Sequence, residues 1–97
     1  MNQVAQTIKE QIGGKALFMI GATNIVGHEN TLTFRVGKNA KGVNCVMITL
    51  DEGLDLYKMS FLYIRGGKFT VKAQIEGVYA EDLNRMIEMY TGMYTSL

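Results

Sequence analysis

Two stretches of the chain alternate strictly between apolar and polar positions. They are Thr31-Leu32-Thr33-Phe34-Arg35-Val36 and Lys68-Phe69-Thr70-Val71-Lys72-Ala73-Gln74-Ile75. A period of two marks a strand with one face against a core and the other in water. The alternation predicts strands over 31–36 and 68–75, with Phe34, Phe69 and Val71 inward and Arg35, Thr70 and Lys72 outward. Segment 43–50 is apolar on both parities, which predicts a central strand covered on both faces. In 56–65, Tyr57, Met59, Phe61 and Tyr63 share one parity while Lys58 and Ser60 hold the other. Gly66-Gly67 separates that strand from the next by two residues, the signature of a tight hairpin with positive-φ turn residues.

The remaining segments supply helices and one further strand. Val4, Ile8 and Ile12 fall four apart, an amphipathic stripe predicting a helix over 2–12 that stops at Gly13-Gly14. Ala16-Leu17-Phe18-Met19-Ile20 is a short apolar run flanked by glycines and reads as a buried strand, with 21–30 as the longest loop. Leu83, Met86, Ile87 and Tyr90 recur at helical spacing, with Glu81 and Asp82 ahead of them and Gly92 behind. The expected fold is a single α+β domain over 1–97: one five-stranded, mostly antiparallel sheet with N- and C-terminal helices packed on one face. Its expected core holds Ile8, Leu17, Leu32, Phe34, Met47 or Ile48, Phe61, Phe69, Val71, Leu83 and Ile87.

Composition narrows the class without naming a function. The chain has 97 residues, 47% of them apolar and 20% charged, which suits one globular domain. No apolar run reaches the roughly 18 residues of a membrane span, and the first residues lack the pattern of a secretory signal. One cysteine, Cys45, offers no internal disulfide, and the expected location is cytoplasmic. Cys45 sits mid-strand and the single histidine, His28, in a loop, so neither a nucleophile nor a metal site is expected. No cofactor is expected either. Asp51, Glu52 and Asp55 surround Gly53 without the spacing of a calcium loop, and acids of this kind belong to turn chemistry. Gly37 and Gly42 lack the Lys-Ser or Lys-Thr pair and the following helix of a phosphate-binding loop. The expectation is a protein that is not an enzyme.

Charge is unevenly spread. Segment 31–74 sets Arg35, Lys38, Lys41, Lys58, Arg65, Lys68 and Lys72 against Asp51, Glu52 and Asp55, seven against three, a balance of +4. Segment 75–97 sets Arg85 against Glu76, Glu81, Asp82 and Glu88, a balance of −3. The seven cations form the candidate nucleic-acid-binding set, on a basic sheet face to which Arg35, Lys58 and Lys72 contribute by parity. The same face collects Leu56, Leu62 and Ile64, more apolar surface than a wet face needs. That excess points to a homodimer with Leu62 at or near the contact.

Several segments carry a resemblance that covers nearly the whole chain. They are Gln11-Ile12-Gly13-Gly14, Gly21-Ala22-Thr23-Asn24, Leu32-Thr33-Phe34, Gly37-Lys38-Asn39-Ala40-Lys41-Gly42-Val43-Asn44 and Ile48-Thr49-Leu50. Ile64-Arg65-Gly66, Gly77-Val78-Tyr79-Ala80 and Thr91-Gly92-Met93-Tyr94-Thr95-Ser96-Leu97 complete the set. Through them the chain resembles short uncharacterised proteins encoded by bacteriophages, prophages and related mobile elements. After Tyr57 the similar proteins tend to carry an acid where this chain has Lys58, and around Thr23 they tend to be basic. The resemblance implies a phage or prophage setting in a bacterial cytoplasm and brings no activity or site residue with it. The expected function is that of a small accessory protein binding a host or phage macromolecule. The alternative is nucleic-acid binding through the basic sheet face.

Overall fold

Asn2, in extended conformation, accepts the Ala5 N–H on its side-chain oxygen at 2.9 Å and so opens helix α1 (Gln3–Ile12). Such a cap satisfies one of the amides that every helix start leaves unpaired. In this computed structural model, which describes residues 2–96, Ala5, Ile8 and Ile12 form the buried stripe of α1. Gly13 ends that helix at φ +91°, and the chain turns directly into a second short helix, α2 (Gly14–Met19).

Helix α2 corrects the expected strand over 16–20. Ala16, Leu17 and Ile20 are buried while Phe18 is 85% exposed. Buried positions at i, i+1 and i+4 follow a helical face, which an unbroken apolar run conceals. The expected loop over 21–30 is corrected with it, because the first strand, β1 (Thr23–His28), lies there. Ile25 packs on the core while Asn24 takes φ +51°, and an irregular register leaves no clean alternation to read.

The sheet continues through β2 (Thr31–Arg35), β3 (Cys45–Asp51), β4 (Leu56–Arg65) and β5 (Lys68–Val78). A 3-10 turn (Ala80–Asp82) then leads into α3 (Leu83–Thr91), which Gly92 ends in the left-handed conformation. The strands pair antiparallel in chain order, β1-β2-β3-β4-β5. The fold is therefore α+β, a meander with the helices from both ends of the chain on one face. Leu32 and Phe34 from β2, Val46 and Ile48 from β3, and Met59 and Phe61 from β4 join Ile8, Leu17, Leu83 and Ile87 in one buried cluster. Tyr90 of α3 stacks on Phe61 with ring centroids 5.1 Å apart. Strand β3 is central, but it is covered on one face only: Val46 and Ile48 belong to the core cluster, while Met47 and Thr49 are half-buried on the other side.

The main correction concerns β5. The expected core positions Phe69 and Val71 are 67% and 50% exposed. Two glycines, at φ +60° and +77°, close the β4–β5 hairpin and set Arg65 opposite Lys68. Ile64 then faces Phe69, Tyr63 faces Thr70 and Leu62 faces Val71. Since Phe61 and Met59 point into the core, Leu62 and Ile64 point away from it, and the turn carries Phe69 and Val71 to that same outer side. Phe61, however, pairs with Ala73, so one residue, Lys72, is extra on β5. This β-bulge reverses the facing of everything after it. Ala73 and Ile75 return to the core, and a second irregularity at Gly77 (φ +67°) brings Val78 in as well.

This arrangement sets the stability expected of neighbouring positions. Ile48→Ala, at a fully buried site, should cost about 2–5 kcal/mol. Val71→Ala, half in water, should cost no more than about 1 kcal/mol. Urea denaturation of both variants checks this, and equal losses would mean that Val71 is a core residue.

Candidate functional site

A meander alternates its connections between two ends of the sheet, and the connections of this chain differ in charge. The β1–β2 and β3–β4 turns share one end and hold Glu29, Asp51, Glu52 and Asp55. There Asp51 Oδ1 accepts the Gly53 and Leu54 amides at 3.1 and 3.3 Å, so its carboxylate shapes the turn. The β2–β3 loop and the β4–β5 turn share the other end and hold Lys38, Lys41, Arg65 and Lys68. Segments 36–44 and 63–72 contain no acid at all.

The β2–β3 loop is fixed from within by Asn39. Its side-chain amide donates to the Gly37 and Val43 carbonyls at 2.9 and 2.6 Å, and its oxygen accepts the Lys41 and Val43 amides, each at 3.2 Å. Asn44 then joins the loop to the hairpin, because its side chain donates to Ile64 O at 2.8 Å and accepts Ile64 N–H at 2.7 Å. It imitates one more residue of the β3–β4 ladder. The loop thereby sits over Tyr63, which lines a hollow of about 380 Å³ with Lys38, Asn39 and Val43. A neighbouring hollow of about 310 Å³ is lined by Lys41, Lys72, Val43 and the α3 residues Met89 and Tyr90. Lys72 reaches this side because the turn register sends Val71 outward and so its neighbour inward, and its side chain lies 3.7 Å from where a Gly42 Cβ would stand.

The seven cations therefore do not form one basic face. Lys38, Lys41 and Lys72 line the helix-side hollows, and Arg65 and Lys68 face each other beside the hairpin tip. Among the described residues, no side-chain ion pair or hydrogen bond engages any of these five. Arg35 and Lys58 lie apart from them on the open sheet face. Arg35 donates through Nε to Asn44 O at 3.1 Å, and Lys58 stands opposite Thr49. Lys72, expected beside those two by parity, lies on the other side because the turn register sends its neighbour Val71 outward.

The open face carries a second feature. Met47, Leu62, Ile64, Phe69 and Val71 line a shallow depression of about 530 Å³, bordered by Thr49, Lys58, Ser60 and Gln74. Leu62 is only 6% exposed and lies outside the main core cluster, so this is a small apolar cluster of its own, under solvent. Apolar patches with polar rims mark contact surfaces. Neither Phe69, Val71 nor Tyr63 stood out as surface residues in the sequence. Propagating the two-residue turn along the parity of β4 would have placed all three.

The groups considered for catalysis are kept apart. His28 is exposed, with its Nε2 3.7 Å from Glu29, in the row of Thr31 and Thr49. Cys45 is buried in the row of Arg35, four residues further along the strand, roughly 13 Å at the spacing of a pleated strand. Burial pushes the Cys45 thiol up, against a smaller opposing pull from Arg35. Among the described residues no three His, Cys, Asp or Glu side chains converge as metal ligands. None of their helices is long and apolar enough to cross a membrane. No family model, curated protein or solved structure matches the chain.

The C-terminal segment is tied back onto α3. Glu88 accepts the Thr95 N–H at 2.8 Å and the Thr95 hydroxyl at 2.7 Å, and these bonds hold its carboxyl below the usual glutamate range. A lowered folded-state value stabilises the segment above the ordinary glutamate pKa, and that contribution is lost as pH falls through the folded value. Acid titration by NMR should move the Thr95 amide with a midpoint below that of an ordinary glutamate, and Glu88→Gln should abolish the transition. Asn39→Ala removes four bonds within the loop and should cost about 1–3 kcal/mol, read by denaturation. A neutral result would show that the loop keeps its shape without them.

Proposed function

We propose that this is a small non-enzymatic accessory protein of a phage or prophage, acting in the bacterial cytoplasm by binding a host or phage macromolecule. The observation that carries the reading is the uncovered apolar cluster of the open sheet face. Burying a Val or Phe side chain fully is worth roughly 1.5–3 kcal/mol. A fold selected for stability alone has no use for Phe69 and Val71 in water. What they offer is a contact for another protein, with Lys58, Thr49 and Gln74 as its polar rim.

Self-association through the same face is the second reading. Both edge strands, β1 and β5, are interrupted by extra residues, and β5 adds Lys68 and Lys72, devices that discourage edge-to-edge pairing. A homodimer would therefore meet by the face. Leu62, expected at the contact, is already covered within the monomer, so Phe69 and Val71 take that place.

Substitution at Val71 tests both readings, because it leaves the core untouched. Affinity purification from the bacterial host should recover a defined protein partner with the wild-type chain and lose it with Val71→Glu. Light scattering of the purified chain at micromolar concentration should show doubled mass, reversed by the same change, if the partner is a second copy. Retention of every partner by Val71→Glu, or turnover mapped to one of the hollows, would overturn the proposal.

A further inference from the structure

We propose that the basic end of the molecule is a second site, separate from the open face, that binds the sugar–phosphate backbone of single-stranded nucleic acid with a base stacked on Tyr63. Topology brings the cations together. The β2–β3 loop and the β4–β5 turn must share one end of a meander, and the hairpin register adds Lys72 from the edge strand. The result is a track rather than a point. Arg65 and Lys68 flank the hairpin tip, Lys38 shares the first hollow with Tyr63, and Lys41 and Lys72 share the second. The two hollows are neighbours, with Val43 lining both.

The chemistry of the track selects its ligand. Cations spaced along a groove suit a ligand with a charge at every repeat, and phosphate contacts take this form. Tyr63 lies among them and is 37% exposed. An aromatic ring between backbone-binding cations is what single-strand binders use to stack unpaired bases, whereas a paired duplex base offers no free face. An acidic polypeptide could satisfy the lysines but would leave the ring unused. The acidic turns lie at the far end of the sheet, so the field along the molecule turns the basic end toward a polyanion. Asn39, Asn44 and the register of the hairpin hold the backbone that carries the lysines and Tyr63.

The test is fluorescence anisotropy of the full chain with a labelled single-stranded oligothymidylate, titrated at several salt concentrations. Binding should weaken as salt rises, with a log–log slope of about −0.7 for each phosphate engaged, hence about a hundredfold between roughly 50 and 200 mM if five take part. Lys38→Gln combined with Lys41→Gln should reduce the slope as well as the affinity. Tyr63→Leu, which keeps apolar bulk, should weaken binding by roughly tenfold and leave the slope unchanged. Lys58→Gln and Val71→Glu, on the open face, should bind as the wild type does, which separates this site from the partner-binding reading. Circular dichroism of each variant confirms folding. The proposal is overturned by absence of binding at low salt, by equal losses at Lys58 and at the Lys38 and Lys41 pair, or by poly-glutamate binding as tightly as the oligonucleotide.

Discussion

The register of the β4–β5 hairpin governs the surface of this protein. A two-residue glycine turn allows no slack, so the pairing that starts at Arg65 and Lys68 runs back along both strands until something interrupts it. Uninterrupted, it would leave all of β5 one step out of phase with the core and put Ala73 and Ile75 in water. The extra residue at Lys72 resolves the conflict between a turn that sends Phe69 and Val71 outward and a core that requires Ile75 inward. Each half of the strand then satisfies a different constraint, and the two candidate surfaces arise where the halves meet.

The consequences are coupled. The turn register leaves an apolar cluster on the open face, with Leu62 buried beneath Val71 and Phe69. It also turns Lys72 toward the helix side, beside Lys41 and α3. A regular strand in the same register would have kept this separation but carried Ala73 and Ile75 out of the core. Local irregularity on an edge strand also protects that edge from pairing. The turn thus separates an apolar surface from a basic one, and the inserted residue returns Ala73 and Ile75 to the core and discourages uncontrolled sheet extension.

Much of the architecture was legible in the pattern of residues. The helical stripe of Val4, Ile8 and Ile12, the stop at Gly13, the α3 stripe and the glycine hairpin all follow from local rules that tertiary packing does not override. Ala16–Ile20 misled because a run with no polar residue has no period, and the exposure of Phe18 is visible only once α2 is placed. Strand β1 was hidden by its own irregularity at Asn24. Segment 68–75 misled more deeply. Its alternation is unbroken in sequence, but a bulge does not interrupt the alternation of residue types; it changes which face they occupy. The information lay in β4, whose inward set of Tyr57, Met59, Phe61 and Tyr63, carried across the turn, places Thr70 inward and Val71 outward. The candidate site was partly legible as well. Its cations were evident, but their gathering at one end required the strand order, and Tyr63 was hidden on a core parity.

The most direct measurement of the central claim is the set of nuclear Overhauser contacts made by Val71 and Ala73. The turn register predicts contacts from the Val71 methyls to Leu62 and none from Val71 to Ile87 or Phe34, and the bulge predicts contacts from the Ala73 methyl to Phe61. An unbroken ladder, with Phe61 opposite Lys72 and Ser60 opposite Ala73, would contradict the bulge, and contacts from Val71 to those core residues would contradict the turn register. In the first case Ala73 and Ile75 would leave the core, and in the second the apolar cluster and the separation of the basic end would both fall.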